Sequence, residues 1–240
     1  MGNLYKATGQ DGRFSFPDIE FGDYHLGASV NCEGAAQEVS LVGDLDVTLE
    51  FGTYVDPNGY SCSLEDSTWI PGDALLPAPQ EDEEGNEFHT LPFPFPYAGY
   101  THTRAEISPG NVWLHPADTD HDNGADIEFY PDGTCVSPQG GVYTKVLGTA
   151  PLRQFVVETR NCSPSSDPSR IINSEIVLRE DGQMTFTVKD PSAPWVITST
   201  QVYAYKHDGS GLSYYEAAVG ENADGFRTGK SLVIHPPAGS

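Results

Sequence analysis

The sequence is short of basic residues: 12 Lys and Arg stand against 35 Asp and Glu among 240 residues, giving a formal net charge of −23 at pH 7. A surface this acidic repels nucleic acid and anionic membrane surfaces. The sequence also lacks an apolar run of about twenty residues and a heptad repeat, which excludes a membrane-spanning helix and a coiled coil. We therefore expect neither nucleic-acid partners nor membrane insertion.

Residues that interrupt helices are abundant in the sequence. The 25 glycines and 19 prolines leave few uninterrupted windows for a long helix. Apolar and polar residues alternate from Gly22 to Val30 and from Leu45 to Phe51, a period of two that is typical of a half-buried strand. A hairpin is predicted from Ser174 to Lys189, with its turn at 180–182. Further strand candidates are Arg104–Ile107, Val112–His115, Ile127–Tyr130, Val142–Leu147, Gln154–Thr159, Trp195–Thr198, Gln201–Tyr205, Tyr214–Val219 and Ser231–Ile234. The chain is therefore predicted to be all-β.

Cysteine is scarce but even in number. Cys32, Cys62, Cys135 and Cys162 show no CxxC and no zinc-finger spacing. Three disulfide connectivities are possible, of which sequential pairing is the simplest; four buried free thiols are the alternative. Residues 1–4 lead into polar sequence without the pattern of a signal peptide, so the chain is either cytosolic or a piece of a longer exported protein. The cysteines favour the second option, with an extracellular or cell-surface location.

The first 52 residues carry a motif. Residues 11–16, DGRFSF, and residues 22–24, GDY, resemble the DGxFxF…GxY core of carboxypeptidase-regulatory-like repeats, which are small prealbumin-like (Ig-like) sandwiches related to the Cna-B modules of bacterial surface proteins. Residues 46–51 resemble the last strand of that family. Its members usually begin with a further GxVxD strand, whereas only residues 1–7 precede the motif here. The module over residues 1–52 therefore looks truncated: either it is cut from a longer polypeptide, or a neighbour supplies the missing edge strand.

A Pro- and acid-rich connector is predicted over residues 53–87, and a second resemblance follows it. Residues 91–101, LPFPFPYAGYT, and residues 148–161, GTAPLRQFVVETRN, resemble segments of an accessory β-domain of large secreted bacterial proteins, often linked there to subtilisin-like peptidases. Matches at 176–182 and 218–225 follow in the same order. The resemblance implies that the domain is secreted and accompanies other domains, and it does not imply a catalytic activity. We expect residues 88–240 to form a larger, jelly-roll-like β-sandwich.

An acidic loop is the best metal candidate. Asp118, Asp120, Asp122 and Asp126 alternate with other residues, and such carboxylates can surround Ca²⁺. The loop departs from an EF-hand at its sixth and twelfth positions. The alternatives are a Ca²⁺ loop of another kind, which makes Ca²⁺ the one expected cofactor, and an acidic surface turn without a ligand.

Enzyme signatures such as GxSxG, HExxH and a P-loop are absent from the sequence. We therefore expect a non-catalytic structural or adhesive module, in a surface assembly or filament built by β-strand complementation, with other protein subunits or surface proteins as partners. The alternative is a carbohydrate-binding or peptidase-associated accessory domain of a secreted hydrolase. In that case Trp113 and Trp195 would be the ligand-binding residues, through stacking on sugar rings of a polysaccharide.

Overall fold

The computed structural model describes residues 13–30, 32–53, 55, 59–81, 87–97, 99–116, 125–129, 133–135, 140–164, 171–189, 200–206, 212–217 and 230–238. This part of the chain contains strands and no helix, and every strand pairing in it is antiparallel. It accordingly has no helix that is long and apolar enough to span a membrane. The prediction of an all-β fold is confirmed.

The strands form three sheets. In chain order they are β1 (Gly22–Val30), β2 (Glu33–Leu41), β3 (Gly52–Thr53), β4 (Ser61–Asp66), β5 (Ala74–Leu75), β6 (Gln80–Glu81), β7 (Glu87–Tyr97), β8 (Tyr100–Ser108), β9 (Asn111–Pro116), β10 (Ala125–Phe129), β11 (Gly133–Thr134), β12 (Gly141–Leu147), β13 (Gln154–Pro164), β14 (Ile172–Arg179), β15 (Met184–Val188), β16 (Thr200–Lys206), β17 (Leu212–Ala217) and β18 (Lys230–His235). The first sheet has the order β1-β2-β3, the second β17-β16-β10-β9-β8-β7-β6, and the third β4-β18-β15-β14-β13-β12-β5, with β11 paired to β13.

The first sheet contains the predicted strand from Gly22 to Val30, which pairs with β2 along its whole length. The strand predicted from Leu45 to Phe51 is not formed, and pairing with β2 resumes only at β3. Leu45 and Phe51 are 49% and 44% exposed. Alternation alone is therefore insufficient here, because a strand also needs a partner whose hydrogen-bonding edge lies alongside it.

The second and third sheets enclose the hydrophobic core. The second sheet contributes Leu91, Phe93, Phe95, Tyr97, Ala105, Val112 and Leu114, and the third contributes Val142, Phe155, Val157, Ile176, Leu178, Met184, Phe186, Val188, Leu232 and Ile234. Each fully buried aliphatic or aromatic side chain in such a core stabilises it by about 1.5–3 kcal/mol. Because side chains alternate along a strand, the neighbours of these residues face outward, and Glu158 and Glu175 lie on that outer face of the third sheet.

Residues that the sequence assigned to a connector contribute three strands. β4 pairs with β18 from Ser61 opposite His235 to Asp66 opposite Lys230, β5 pairs with β12, and β6 pairs with β7. Strands that pair with the two larger sheets therefore begin at Ser61, inside the stretch predicted as a connector.

Most of the other strand candidates overlap strands of the structure; Trp195–Thr198 lies outside the described residues. The hairpin is confirmed as β14 and β15, whose turn includes Gly182 at a φ of +89°. β7 was missed because three prolines interrupt it, and proline has no N–H to donate. The β7–β8 pairing accommodates them with a register shift between Thr90 and Phe95.

Candidate functional site

Both disulfides form, with the sequential connectivity. Cys32 bonds to Cys62 and Cys135 bonds to Cys162, across sequence separations of 30 and 27 residues. Cys32 lies between β1 and β2, and Cys62 lies on β4, so the first bond attaches the first sheet to the larger sandwich. Both of its cysteines belong to the buried core cluster. The first sheet is thus fastened covalently to the body that carries the main core.

The first sheet presents an open edge. Among the described residues β1 pairs only with β2, so the other side of its nine-residue backbone has no strand beside it. Large apolar side chains nearby are also exposed: Phe21 is 74% and Val42 is 84% exposed. An unpaired edge beside exposed apolar residues is a template for an added strand, because unsatisfied N–H and C=O groups line it.

Cross-strand side chains fix the register at this edge. His25 lies opposite Glu38, with its Nδ1 2.8 Å from Glu38 Oε1, and the Ser40 hydroxyl donates to Asp23 Oδ1 at 2.5 Å. Both partners of the His25–Glu38 pair are more than half exposed, so it contributes little to stability. These contacts use side chains only, and no described strand occupies the outer backbone edge of β1.

The predicted calcium ligands fall mostly outside the described residues. Asp118, Asp120 and Asp122 lie there, whereas the backbone of Asp126 is part of β10, opposite Trp113 on β9 and Tyr205 on β16. Within the described ranges, no group of three or more His, Cys, Asp and Glu side chains is placed to hold a metal ion. The Ca²⁺ loop stays a prediction, which melting curves with EDTA and with added Ca²⁺ would test.

Of the two tryptophans of the carbohydrate hypothesis, the structure describes only Trp113. Trp195 lies outside the described residues. Trp113 is half-buried on β9, where its ring stacks on His115 with centroids 5.8 Å apart and planes 18° apart. His115 in turn contacts Glu106 at 3.0 Å. A ring already covered in this way offers less surface to a sugar, so the described contacts of Trp113 do not favour that hypothesis.

Sequence reasoning missed a pair of buried carboxylates. Glu158 on β13 and Glu175 on β14 lie directly opposite each other, and each is only 1% exposed. They are covered by residues 67–73, which we call the strap. The strap donates two backbone hydrogen bonds to them: Ile70 N–H to Glu175 Oε2 at 2.9 Å and Gly72 N–H to Glu158 Oε2 at 2.7 Å. Alternation predicts two outward-facing glutamates here, but it gives no signal that a distant segment covers them.

Glu158 has a cationic partner. The Arg160 guanidinium donates to both of its oxygens, from Nε at 2.9 Å and from Nη2 at 2.5 Å, and Nη2 also donates to the Gly72 carbonyl at 2.9 Å. The same guanidinium lies 3.8 Å from the centre of the Tyr143 ring. The hydrogen bonds to Glu158 raise the pKa of Arg160, so this arginine stays charged. Glu158 and the strap backbone therefore share one cation.

Glu175 lacks such a partner. Its Oε2 accepts the Ile70 N–H, but its Oε1 is buried with no hydrogen-bond partner among the described residues. Burial, with the adjacent Glu158 as a smaller cause, raises the pKa of Glu175 to about 7. A carboxyl in this environment favours its protonated form, because burial penalises the charged form.

A serine–histidine contact was also missed. The Ser63 hydroxyl on β4 is 2.7 Å from His235 Nε2 on β18, which resembles the first link of a nucleophilic triad. The acid is in the wrong place, however, because Glu65 Oε1 accepts from Ser63 Oγ at 3.1 Å and lies 3.9 Å from that same Nε2. A triad acid orients the histidine through its other nitrogen. The contact is explained as surface hydrogen bonding between neighbouring strands.

Comparison with curated proteins found no match, and comparison with solved structures found none either. Among protein families, the model described as NIDO related matches residues 59–206. That range begins beside β4 and ends with β16, so it covers strands of both sheets of the larger sandwich. Since it spans more than half of the 240 residues, the chain belongs to the NIDO-related family.

Proposed function

We propose that the chain is a non-catalytic structural or adhesive module of an extracellular assembly, in which β1 receives a strand from a second copy of the chain. Membership of the NIDO-related family and the two disulfides support an extracellular location. The observation that carries the proposal is the outer edge of β1, which pairs with no strand in the described part of the chain.

Strand addition suits this edge for three reasons. β1 is nine residues long, and each added backbone hydrogen bond contributes about 0.5–1.5 kcal/mol. The exposed Phe21 and Val42 give an incoming strand apolar surface to bury. The bond between Cys32 and Cys62 then transmits force from the added strand to the core of the larger sandwich.

Sedimentation velocity over a range of protein concentrations tests the proposal. We expect the wild-type chain to form dimers where two β1 edges pair with each other, and longer oligomers where β1 receives a different segment of the second copy. Replacing Tyr24 and Leu26 with Lys places like charges on β1 and should shift the population to monomer, since charged edges resist pairing. A matched control replaces Thr48 with Lys, on exposed chain outside any strand.

Two results would contradict strand addition at β1. One is a wild-type chain that stays monomeric at every concentration. The other is an oligomer that the Tyr24→Lys, Leu26→Lys variant and the Thr48→Lys control form equally well. Hydrogen exchange supplies an independent readout, because amides on the outer edge of β1 should gain protection only in the oligomer.

A further inference from the structure

The strap crosses the whole outer face of the third sheet. It leaves β4 at one edge of the sheet and enters β5 at the other, and the strand order puts six strand-to-strand steps between them. At about 4.8 Å per step this requires about 29 Å. The eight residue steps from Asp66 to Ala74 reach about 26–29 Å when fully extended. The strap therefore has almost no slack, so it can leave the face only if the two-residue strand β5 separates from β12 at the same time.

Several contacts seat the strap, among them the hydrogen bond from Arg160 to the Gly72 carbonyl. The hydrogen bonds of Ile70 and Gly72 to the two buried glutamates lie near its middle. Toward β5, Asp73 N–H donates to the Thr144 carbonyl at 3.1 Å. Gly72 is also packed closely, because a Cβ at this position would lie 2.7 Å from Tyr143 Cβ. The strap thus depends on the state of the carboxylates beneath it.

The charged groups around Glu175 come from every neighbouring element. Glu158 and Arg160 lie on β13, and their charges are paired with each other. Lys189 follows β15 and lies over the Trp69 ring of the strap at 5.1 Å. Asp73, at the far end of the strap, pairs with Lys145 on β12 at 3.3 Å. Across β14, Thr187 on β15 faces Glu175, and its hydroxyl is engaged with Ser231 at 2.6 Å. Among the described residues, no cationic side chain forms a hydrogen bond with Glu175.

We infer that the strap is a proton-controlled latch: it covers the outer face of the third sheet while the Glu175 carboxyl is protonated, and it opens when that carboxyl ionises. Glu175 is buried and accepts one backbone hydrogen bond, and the charge of Lys189, which lowers its pKa, is a smaller effect than burial. Ionising such a carboxyl is costly, and the strap is the cover whose removal admits water. Opening would expose the polar row that runs across the face from Tyr143 through Glu158 and Glu175 to Thr187.

The direction of the pH effect follows from where the proton is held more tightly. In the closed state the pKa of Glu175 is about 7, whereas a hydrated glutamate in the open state titrates near its ordinary value of 4.5. Between these values the closed state binds the additional proton, so rising pH favours opening. The effect is complete about one pH unit above the closed-state pKa of about 7. The opening equilibrium should increase about tenfold between about pH 6 and about pH 8.

Hydrogen exchange of the Ile70 and Gly72 amides measures this equilibrium directly. After correction for the intrinsic pH dependence of exchange, we expect their protection factors to fall about tenfold between about pH 6 and about pH 8 in the wild-type protein. The Glu175→Gln variant keeps the acceptor and removes the titration, so its protection factors should not change over this range. The matched control is Glu65→Gln, an exposed glutamate in the same row of the sheet, which should behave as wild type.

Wild-type protection factors that are independent of pH would overturn the latch, as would the same pH dependence in Glu175→Gln. If the Glu175→Gln variant fails to fold, a second measurement on the wild-type protein tests the inference. The side-chain ¹³C signal of Glu175 in the wild-type protein should titrate near pH 7, and titration near the ordinary value would also overturn the inference.

Discussion

Glu158 and Glu175 lie directly opposite each other on β13 and β14, each 1% exposed, yet their charges are handled differently. Arg160 neutralises Glu158 through two hydrogen bonds, whereas Glu175 has only the Ile70 N–H. Ionising both of two adjacent buried carboxyl groups is unfavourable when only one cation is bonded to the pair. Glu175, whose pKa burial raises to about 7, is therefore expected to respond near neutral pH.

Global stability should consequently decrease as the pH rises from about 4.5 to about 7. The pKa of Glu175 is higher in the folded state than in the unfolded state. Its contribution to stability is therefore fully present below the unfolded-state pKa and is lost as the pH rises through the folded-state pKa. The shift corresponds to about 3 kcal/mol. Denaturant unfolding of wild type and of Glu175→Gln at several pH values checks this. The difference between the two proteins should change with pH over that window, and a constant difference would contradict the assignment.

Gly72 should tolerate no side chain. An added Cβ would lie 2.7 Å from Tyr143 Cβ and 2.8 Å from the Tyr143 carbonyl carbon, and the backbone cannot move aside without breaking the Gly72–Glu158 hydrogen bond. Gly72→Ala should destabilise the protein by about 1–3 kcal/mol. Gly52→Ala is the control, because no atom lies within 4 Å of its added Cβ. Equal unfolding midpoints for the two variants would contradict the close packing of the strap.

The Cys32–Cys62 bond should keep the first sheet attached. Replacing both cysteines with Ser removes a cross-link over 30 residues, a change that costs about 3–4 kcal/mol in the chain-entropy model. We expect a lower melting temperature and faster proteolysis between residues 42 and 55, which join β2 to the larger sandwich. Digestion at the same rate in variant and wild type would show that other contacts hold the first sheet in place.

The elements that the sequence predicted correctly are those whose formation depends mainly on neighbouring residues. The β14–β15 hairpin followed from alternation and its glycine turn, and β1 followed from the period of two between Gly22 and Val30. The strap did not follow, because Trp69, Pro71 and Gly72 read as a loop and their partners lie about a hundred residues away. The strand expected from Leu45 to Phe51 failed for the same reason. Its pattern was sound, but a partner strand is a property of the whole fold.

Arg153 should hold the two large sheets together. It lies at the start of β13, donates to Glu180 from Nε at 2.9 Å and from Nη2 at 2.5 Å, and reaches the Pro92 carbonyl on β7 with Nη1 at 3.0 Å. Its guanidinium also lies 5.2 Å from the centre of the Phe93 ring. Because one planar fork makes all of these contacts, even Arg153→Lys should lower the melting temperature.

The Arg153–Glu180 interaction also predicts that part of the free energy of unfolding is lost at acid pH. Hydrogen bonding to Arg153 lowers the pKa of Glu180, so its contribution is present above the unfolded pKa and is lost as the pH falls through the folded one. In Arg153→Met the Glu180 ¹³C signal should titrate at a higher pH than in the wild-type protein, because the lowering side-chain hydrogen bonds are removed. The control is Arg179→Met, in the same hairpin, whose bonds go to Asp181 and Gln183 and not to β7. That variant should leave the titration of Glu180 unchanged and should cost less in melting temperature. A larger loss there than in Arg153→Met would show that the hairpin, and not its link to β7, limits stability.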